Sequence, residues 1–549
     1  MLRHLLILLA CLVACGDDST ADTVTSDAQV PDDAGARFDG TLADGSASDS
    51  SVLGDANGAD AGPPSCPTCD GDGDGFDDDV DCDDADSSIY PGVGASCSAD
   101  CGEGSRFCGD DGSWSECDCT PVCEASGEGR CFYISAEGGS DDNEGSFAAP
   151  WETYLNVVSY YGPEDAPASA VRLGPGDVVY FMDGEYDATY SYNSDTNAFF
   201  LRNVHGEVGN PIAFRAYPGH RPLLTTGQTR TAVVLFQSSH LVMDGFEVRD
   251  SRGNGIRLDD ANFVELSRLH VTDVIGPSAS NVAGIHVVSS ENLNLHHSSI
   301  HDIQAEGEGG NVWSHGAIFF GGGNHRLHHN EFYTTPPRID PMRRGCVLYK
   351  HSATVEGSTF EVDHNVFRGC EGRAIGSGSF GTNIHHNLFL GSGVSFEDFG
   401  GPTHHDSRVV SNTFVDSGGM SYNPTDDWEP VGLTTFSDNI VVDSSTYGAE
   451  RGIITIGTYI SDSLYEQTVD AGNLAFSDNC YFNPMEEPRF NLFAAGGSFG
   501  DLGAIYTFEE WQALGYDVDS AVVDPGLDER YVPSADACAS AGWRPLIAD

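Results

Sequence analysis

One short pattern recurs through the second half of the chain and constrains its fold more than any other feature. A polar pair is followed by asparagine, one further residue and an apolar residue. It reads His328-His329-Asn330-Glu331-Phe332, Asp363-His364-Asn365-Val366-Phe367, His385-His386-Asn387-Leu388-Phe389 and Val410-Ser411-Asn412-Thr413-Phe414, then Ser437-Asp438-Asn439-Ile440-Val441 and Ser477-Asp478-Asn479-Cys480-Tyr481. Upstream, His296-His297-Ser298-Ser299-Ile300 keeps the pattern with serine for asparagine, and Arg268-Leu269 and Gly245-Phe246 occupy two earlier repeats. Self-similarity at roughly 22 to 40 residues means a solenoid, in which each repeat buries its apolar face only against its neighbours.

Each repeat also carries a short β-branched or aromatic run, as in Gly255-Ile256-Arg257-Leu258, Gly284-Ile285-His286-Val287, Gly316-Ala317-Ile318-Phe319-Phe320, Cys346-Val347-Leu348-Tyr349-Lys350, Arg373-Ala374-Ile375 and Val394-Ser395-Phe396-Glu397. Such runs between Gly, Asn, Asp and Ser clusters read as strands. Parallel coils stack about 4.8 Å apart, so equivalent residues form ladders. The expectation is an all-β solenoid of about nine or more coils, with a structural asparagine ladder. The neighbouring histidines read first as parts of the coil rather than as metal ligands.

Composition changes sharply ahead of residue 132. Arg3 and His4 precede the apolar stretch Leu5 to Val13, too short to span a bilayer and suited to a signal peptide. Leu12-Val13-Ala14-Cys15 resembles a bacterial lipobox, which implies cleavage after residue 14 and acylation of Cys15. The chain is therefore expected to be exported and lipid-anchored in the bacterial cell envelope, at the surface or in the periplasm. Residues 15–64, built from Asp, Ala, Ser, Gly and Thr, cannot bury enough apolar surface to offset chain entropy and form a disordered acidic tether. With 85 acidic against 25 basic residues and a net charge of -60, the chain does not suit nucleic-acid backbones.

Residues 65–131 form a calcium-loop and cysteine-rich module ahead of the domain at 132–549. Asp70, Asp72, Asp74, Asp78 and Asp81 occupy positions 1, 3, 5, 9 and 12 of a loop with Gly75 at position 6. Alternate residues of so tight a loop converge on one point, which suits the oxygen-rich coordination of calcium. Asp81 in place of a longer glutamate weakens that coordination. Ten of the sixteen cysteines fall between Cys66 and Cys131. In an exported chain this density reads as disulfides holding together a module with too few apolar residues for a core. Cys346, Cys370, Cys480 and Cys538 allow one or two further bridges or simple burial.

Tyr133 to Gly145 with Pro150-Trp151 and Thr153, then Pro211-Ile212-Ala213-Phe214-Arg215-Ala216-Tyr217-Pro218-Gly219, and finally Glu510-Trp511-Gln512 with Gly515-Tyr516-Asp517, resemble the pectate-lyase-like superfamily. The resemblance covers about 400 residues and implies a right-handed parallel β-helix that handles polysaccharide in a groove along one sheet. That fold hosts lyases, hydrolases, epimerases and binding proteins, so the residues must supply the function.

Lys350 is the one lysine in the chain. Unlike arginine, a lysine can lose its proton when desolvated and act as a general base. Period two sends Leu348 and Lys350 outward if Val347 and Tyr349 point inward. In the similar chondroitinase B and alginate lyase family, a strand lysine is the base and an arginine one coil later assists, which implies Lys350 and Arg373 as the catalytic pair. Those relatives hold calcium with glutamates before the lysine; here Arg343, Arg344 and Gly345 stand there. That departure puts the calcium-assisted form in doubt and points instead to a metal-independent variant in which Arg343 and Arg344 bind a uronate carboxylate. Glu397 is a further substrate-binding candidate and, with Asp398, Asp340 or Glu371, would supply the carboxylate pair of a glycosidase. His315, on a loop, and His404-His405-Asp406 read as polar turn residues. Two functions follow: an enzyme acting on an acidic polysaccharide by β-elimination, or a non-catalytic glycan-binding surface protein.

Overall fold

The computed structural model describes residues 81–544, less 84–88, 100–101, 110–111, 119, 161–164, 188–189, 193–194, 278–280, 307–312, 335–342, 351–358, 371–372, 380, 398–402, 424–428, 432, 444–451, 457–471 and 493–503. Cys15, Asp70, Asp72, Asp74, Asp78, Asp340, Glu371 and Asp398 lie outside the described residues.

The described chain winds through three sheets of twelve strands each. A coil runs from a first-sheet strand such as His325–His328, through a tight turn, to a second-sheet strand such as Glu331–Tyr333. It continues to a third-sheet strand such as Arg343–Lys350 and returns to the first sheet at Phe360–Asp363. Consecutive coils pair in parallel, strand on strand. This is a right-handed parallel β-helix: the repeat predicts a solenoid of parallel coils, and the resemblance implies its kind. The sheets exceed the nine recognisable repeats because coils begin earlier, at Cys131–Ile134, Val178–Phe181 and Ile212–Ala216. Those coils turn without the asparagine signature.

The turn between the first and second sheets explains the repeat. Residues before the asparagines, His329, His364, His386, Ser411, Asp438 and Asp478, take left-handed φ between 53° and 57°. Histidine, asparagine and aspartate tolerate this region better than most side chains. The asparagine then turns inward. Asn365 Oδ1 accepts from the Asn330 backbone N–H at 3.0 Å and from its Nδ2 at 2.9 Å. The same double bond continues to Asn387, Asn412, Asn439 and Asn479. Buried polar groups must be paired, and a ladder one coil apart pairs them without water. Ser298 starts it, and Ser520 with buried Asp517 closes it. Beneath it, Phe332, Phe367, Phe389 and Phe414 stack at 5.4, 4.9 and 4.6 Å inside the core.

Disulfides Cys82–Cys108, Cys97–Cys117 and Cys123–Cys131 staple the N-terminal module. Its C-terminal part packs on the outer face of the first sheet, where Val122 and Ala125 meet Tyr133, Tyr180 and Tyr217. The Tyr217 hydroxyl accepts from the Val122 N–H, and the Tyr133 hydroxyl donates to the Val122 carbonyl. Further bridges join Cys346 to Cys370 and Cys480 to Cys538. Among the described residues no helix is long and apolar enough to cross a membrane.

Candidate functional site

The third sheet places the candidate residues. Val347 and Tyr349 join the main core, whereas Leu348 packs with Ala283, Ile318 and Phe320 on the outer face. Lys350 therefore points outward, half-buried, with Nζ 5.6 Å from the Phe320 ring centre. A cation over an aromatic face is attracted by the ring quadrupole.

Arg373 lies on the neighbouring strand Arg373–Ser377, but its register partner is Gly345. Five residues of strand, about 16 Å at the usual rise, separate the Arg373 row from the Lys350 row. Arg373 instead has an imidazole as its neighbour across the row. His315 occupies the Arg373 row on the strand Trp313–Phe320 and is buried. It is not the loop residue its surroundings in the sequence imply. Gly345 lies between them: a Cβ there would come 3.1 Å from His315 Nδ1 and 3.7 Å from Arg373 Cγ. Glycine thus leaves the space into which both side chains project. Burial, reinforced by the charges of Arg373, Lys350 and then His286, pushes His315 down to about 3. Its imidazole is neutral at physiological pH.

His286, one coil earlier, was not among the sequence candidates. Its Nδ1 lies 3.1 Å from Asn254 Oδ1 on the coil before. Its Nε2 is buried without a hydrogen-bond partner among the described residues. Burial and the nearby Arg257 hold it near 4. Its one sequence signal was a histidine at an outward position of the run Gly284-Ile285-His286-Val287. The outer face thus carries two neutral imidazoles, two cations and an apolar floor. Such a surface can hold an anion against cations and pack a sugar ring on apolar atoms.

Arg343 and Arg344 lie at the start of the same strand as Lys350, pairing with Trp313 and Ser314, and Glu397 ends the strand Val394–Glu397. His404 and His405 fall in the strand Thr403–His405, and Asp406 is a turn residue accepting the Leu433 N–H. Asp81, the last ligand of the expected calcium loop, is buried and accepts the Asp83 N–H at 2.9 Å. Among the described residues, Glu361, Asp363 and His385 bring ligand atoms within 4.8 Å of one another. They belong to the first sheet and lie away from the Lys350 face.

Residues 226–459 match the family described as right handed beta helix region. The chain carries a right-handed β-helix region. None of the curated proteins matches the sequence. Among solved structures, the β-helix is similar to pectate lyase Pel9A at 15% identity, over 64% of this chain and 79% of that one, with a TM-score of 0.41. A mannuronic acid specific polysaccharide family 6 lyase from human gut microbiota aligns at 15% identity over 72% of this chain and 92% of that one, also with a TM-score of 0.41. A GH136 lacto-N-biosidase from Eubacterium ramulus aligns at 14% identity over 72% and 68%, with a TM-score of 0.38.

Proposed function

We propose that the outer face of the third sheet acts on an acidic polysaccharide, and that the reaction is β-elimination at a uronate residue. The observation that carries this reading is that Lys350, Arg373, His315 and His286 stand on four adjacent strands of one sheet in a chain whose net charge is -60. A cationic face on so acidic a protein has a use if its ligand is an anion. Arg373, with Arg343 and Arg344, would take the carboxylate, which stabilises the negative charge that develops at C5. Lys350 Nζ would take the C5 proton. The C–H electron pair becomes the C4–C5 double bond, the bond from C4 to the glycosidic oxygen breaks, and that oxygen takes up a proton. No metal is needed for these steps.

The same reading makes the chain an exported protein tethered through Cys15, with a calcium loop at Asp70 to Asp81 stiffening the stalk and the β-helix held off the membrane. A second reading, a glycan-binding face without catalysis, is favoured by one observation: the register separates Arg373 from Lys350. Incubation with alginate, pectate and chondroitin distinguishes them. The lyase releases an unsaturated product that absorbs in the ultraviolet, and Lys350→Ala lowers the rate by at least about 100-fold. Product at an unchanged rate from Lys350→Ala rules out the assigned base. No product from any of the three, with binding detected by calorimetry, leaves the binding face.

A further inference from the structure

The corner between the first and second sheets carries chemistry that the groove does not use. In three coils, the last outward residue of the first sheet and the left-handed turn residue after it are both histidine. His296 and His297, His328 and His329, and His385 and His386 set Nδ1 against Nδ1 at 2.8, 2.7 and 2.9 Å. Packing holds the rings in place. His297, His329, His364 and His386 stack nearly parallel at 4.9, 5.2 and 5.2 Å, and Tyr90 stacks on His297 at 5.2 Å.

Two imidazole nitrogens this close cannot both carry protons, nor both present lone pairs. The far nitrogens indicate which does what. His328 Nε2 lies 3.1 Å from Asn294 Oδ1, His385 Nε2 is bonded to Glu361 Oε1, and His296 Nε2 lies 3.6 Å from Glu265 Oε1. Each sheet histidine thus faces an oxygen acceptor through Nε2, which places its proton there and leaves Nδ1 as a lone pair. The turn histidine donates into that lone pair from its own Nδ1.

We propose that these paired histidines form a row of binding sites for an imidazole-preferring divalent metal of the Cu²⁺ or Ni²⁺ class. With metal–nitrogen bonds of about 2.0 to 2.1 Å, two ligands at a right angle are about 2.9 Å apart and two at a tetrahedral angle about 3.3 Å apart. The observed separations match the right-angle edge, which suits tetragonal Cu²⁺ and Ni²⁺ over tetrahedral Zn²⁺. The metal replaces the proton between the rings. That proton leaves Nδ1 of the turn histidine and a proton from solvent adds to its Nε2, so a neutral pair binds metal with no net proton release. Oxygen acceptors behind the sheet histidines orient the rings, as partners of metal-bound histidines do. The His385–His386 pair is the strongest of the three, because the Glu361 and Asp363 carboxylates beside it add negative charge.

Copper titration of the full chain, read by electron paramagnetic resonance, tests this. The expected result is a tetragonal Cu²⁺ signal with imidazole-nitrogen splitting, lost in the triple variant His296→Gln, His328→Gln, His385→Gln, whose circular dichroism stays that of a β-helix. Glu361→Ala, which leaves every pair intact, weakens copper binding about 10- to 100-fold at its strongest site. Absence of nitrogen-coordinated copper in the wild-type chain, or a signal unchanged in the triple variant, overturns the proposal. So does Zn²⁺ binding as tightly as Ni²⁺, a comparison that holds even if the triple variant does not fold.

Discussion

Replacing Asn387 by alanine tests whether the asparagine ladder holds the β-helix together. Its side chain is buried and makes five hydrogen bonds. Oδ1 accepts from the Asn365 backbone N–H at 2.9 Å and from Asn365 Nδ2 at 3.0 Å. Nδ2 donates to the Val362 and His385 carbonyls at 2.8 and 2.9 Å and to Asn412 Oδ1 at 3.0 Å. Alanine leaves the Asn365 backbone N–H buried and unpaired, a desolvation cost of about 1 to 3 kcal/mol. The other four bonds have a net value of about 0.5 to 1.5 kcal/mol each, but Asn365 Nδ2 keeps two further acceptors and Asn412 Oδ1 keeps the Asn387 N–H. The expected loss is about 3 to 6 kcal/mol, a large part of the stability of an ordinary domain. Asn387→Ser is milder, near 2 kcal/mol, because a hydroxyl can take the orphaned N–H, as Ser298 does for Leu269. Guanidinium unfolding followed by far-ultraviolet circular dichroism measures both. A loss below about 1 kcal/mol for alanine, or serine no milder than alanine, refutes the reasoning.

Three further outcomes follow. Asp363 is buried, which raises its pKa, but hydrogen bonds from Arg326 and His364 and the Arg326 charge outweigh burial and hold it well below the usual carboxylate range. A depressed folded pKa stabilises the fold above the unfolded value near 4 and that contribution fades as pH falls below it, so acid unfolding of the wild type should shift upward in pH in Arg326→Ala; an unchanged acid midpoint would count against the ion pair. At neutral pH the same substitution costs about 2 kcal/mol, discounted from the full cost of an orphaned buried charge because half of Arg326 is exposed. Opening the Cys346–Cys370 bridge, which closes a loop of 24 residues, should cost about 3 kcal/mol in Cys346→Ser/Cys370→Ser, read as a lower denaturant midpoint.

The outward face of the Lys350 strand was legible because period two leaves no choice once Val347 and Tyr349 are core residues. The Lys350 and Arg373 strands are indeed adjacent, but their offset was not legible, because register depends on how the intervening loop returns the chain to the sheet. His315 shows the same limit. In the sequence it stands among Gly, Asn and Ser, which read as loop, yet pairing with Ala283 and Gly345 draws it into a strand. His286 escaped notice because an outward histidine has no signal until the ladder shows what it stacks with.

By itself, the sequence determined the solenoid. A tight turn that needs left-handed backbone followed by a buried amide selects the same residues in every coil, so the local requirement is written out six times as asparagine. Which histidines face one another, which cation sits beside which imidazole, and that Glu361 backs His385, only the tertiary structure decided. Contacts of this kind cross from coil to coil: Glu361 lies 24 positions from His385, Asn254 32 from His286 and Asn294 34 from His328, and their distances depend on stacking one coil on the next rather than on any preference of the residues themselves.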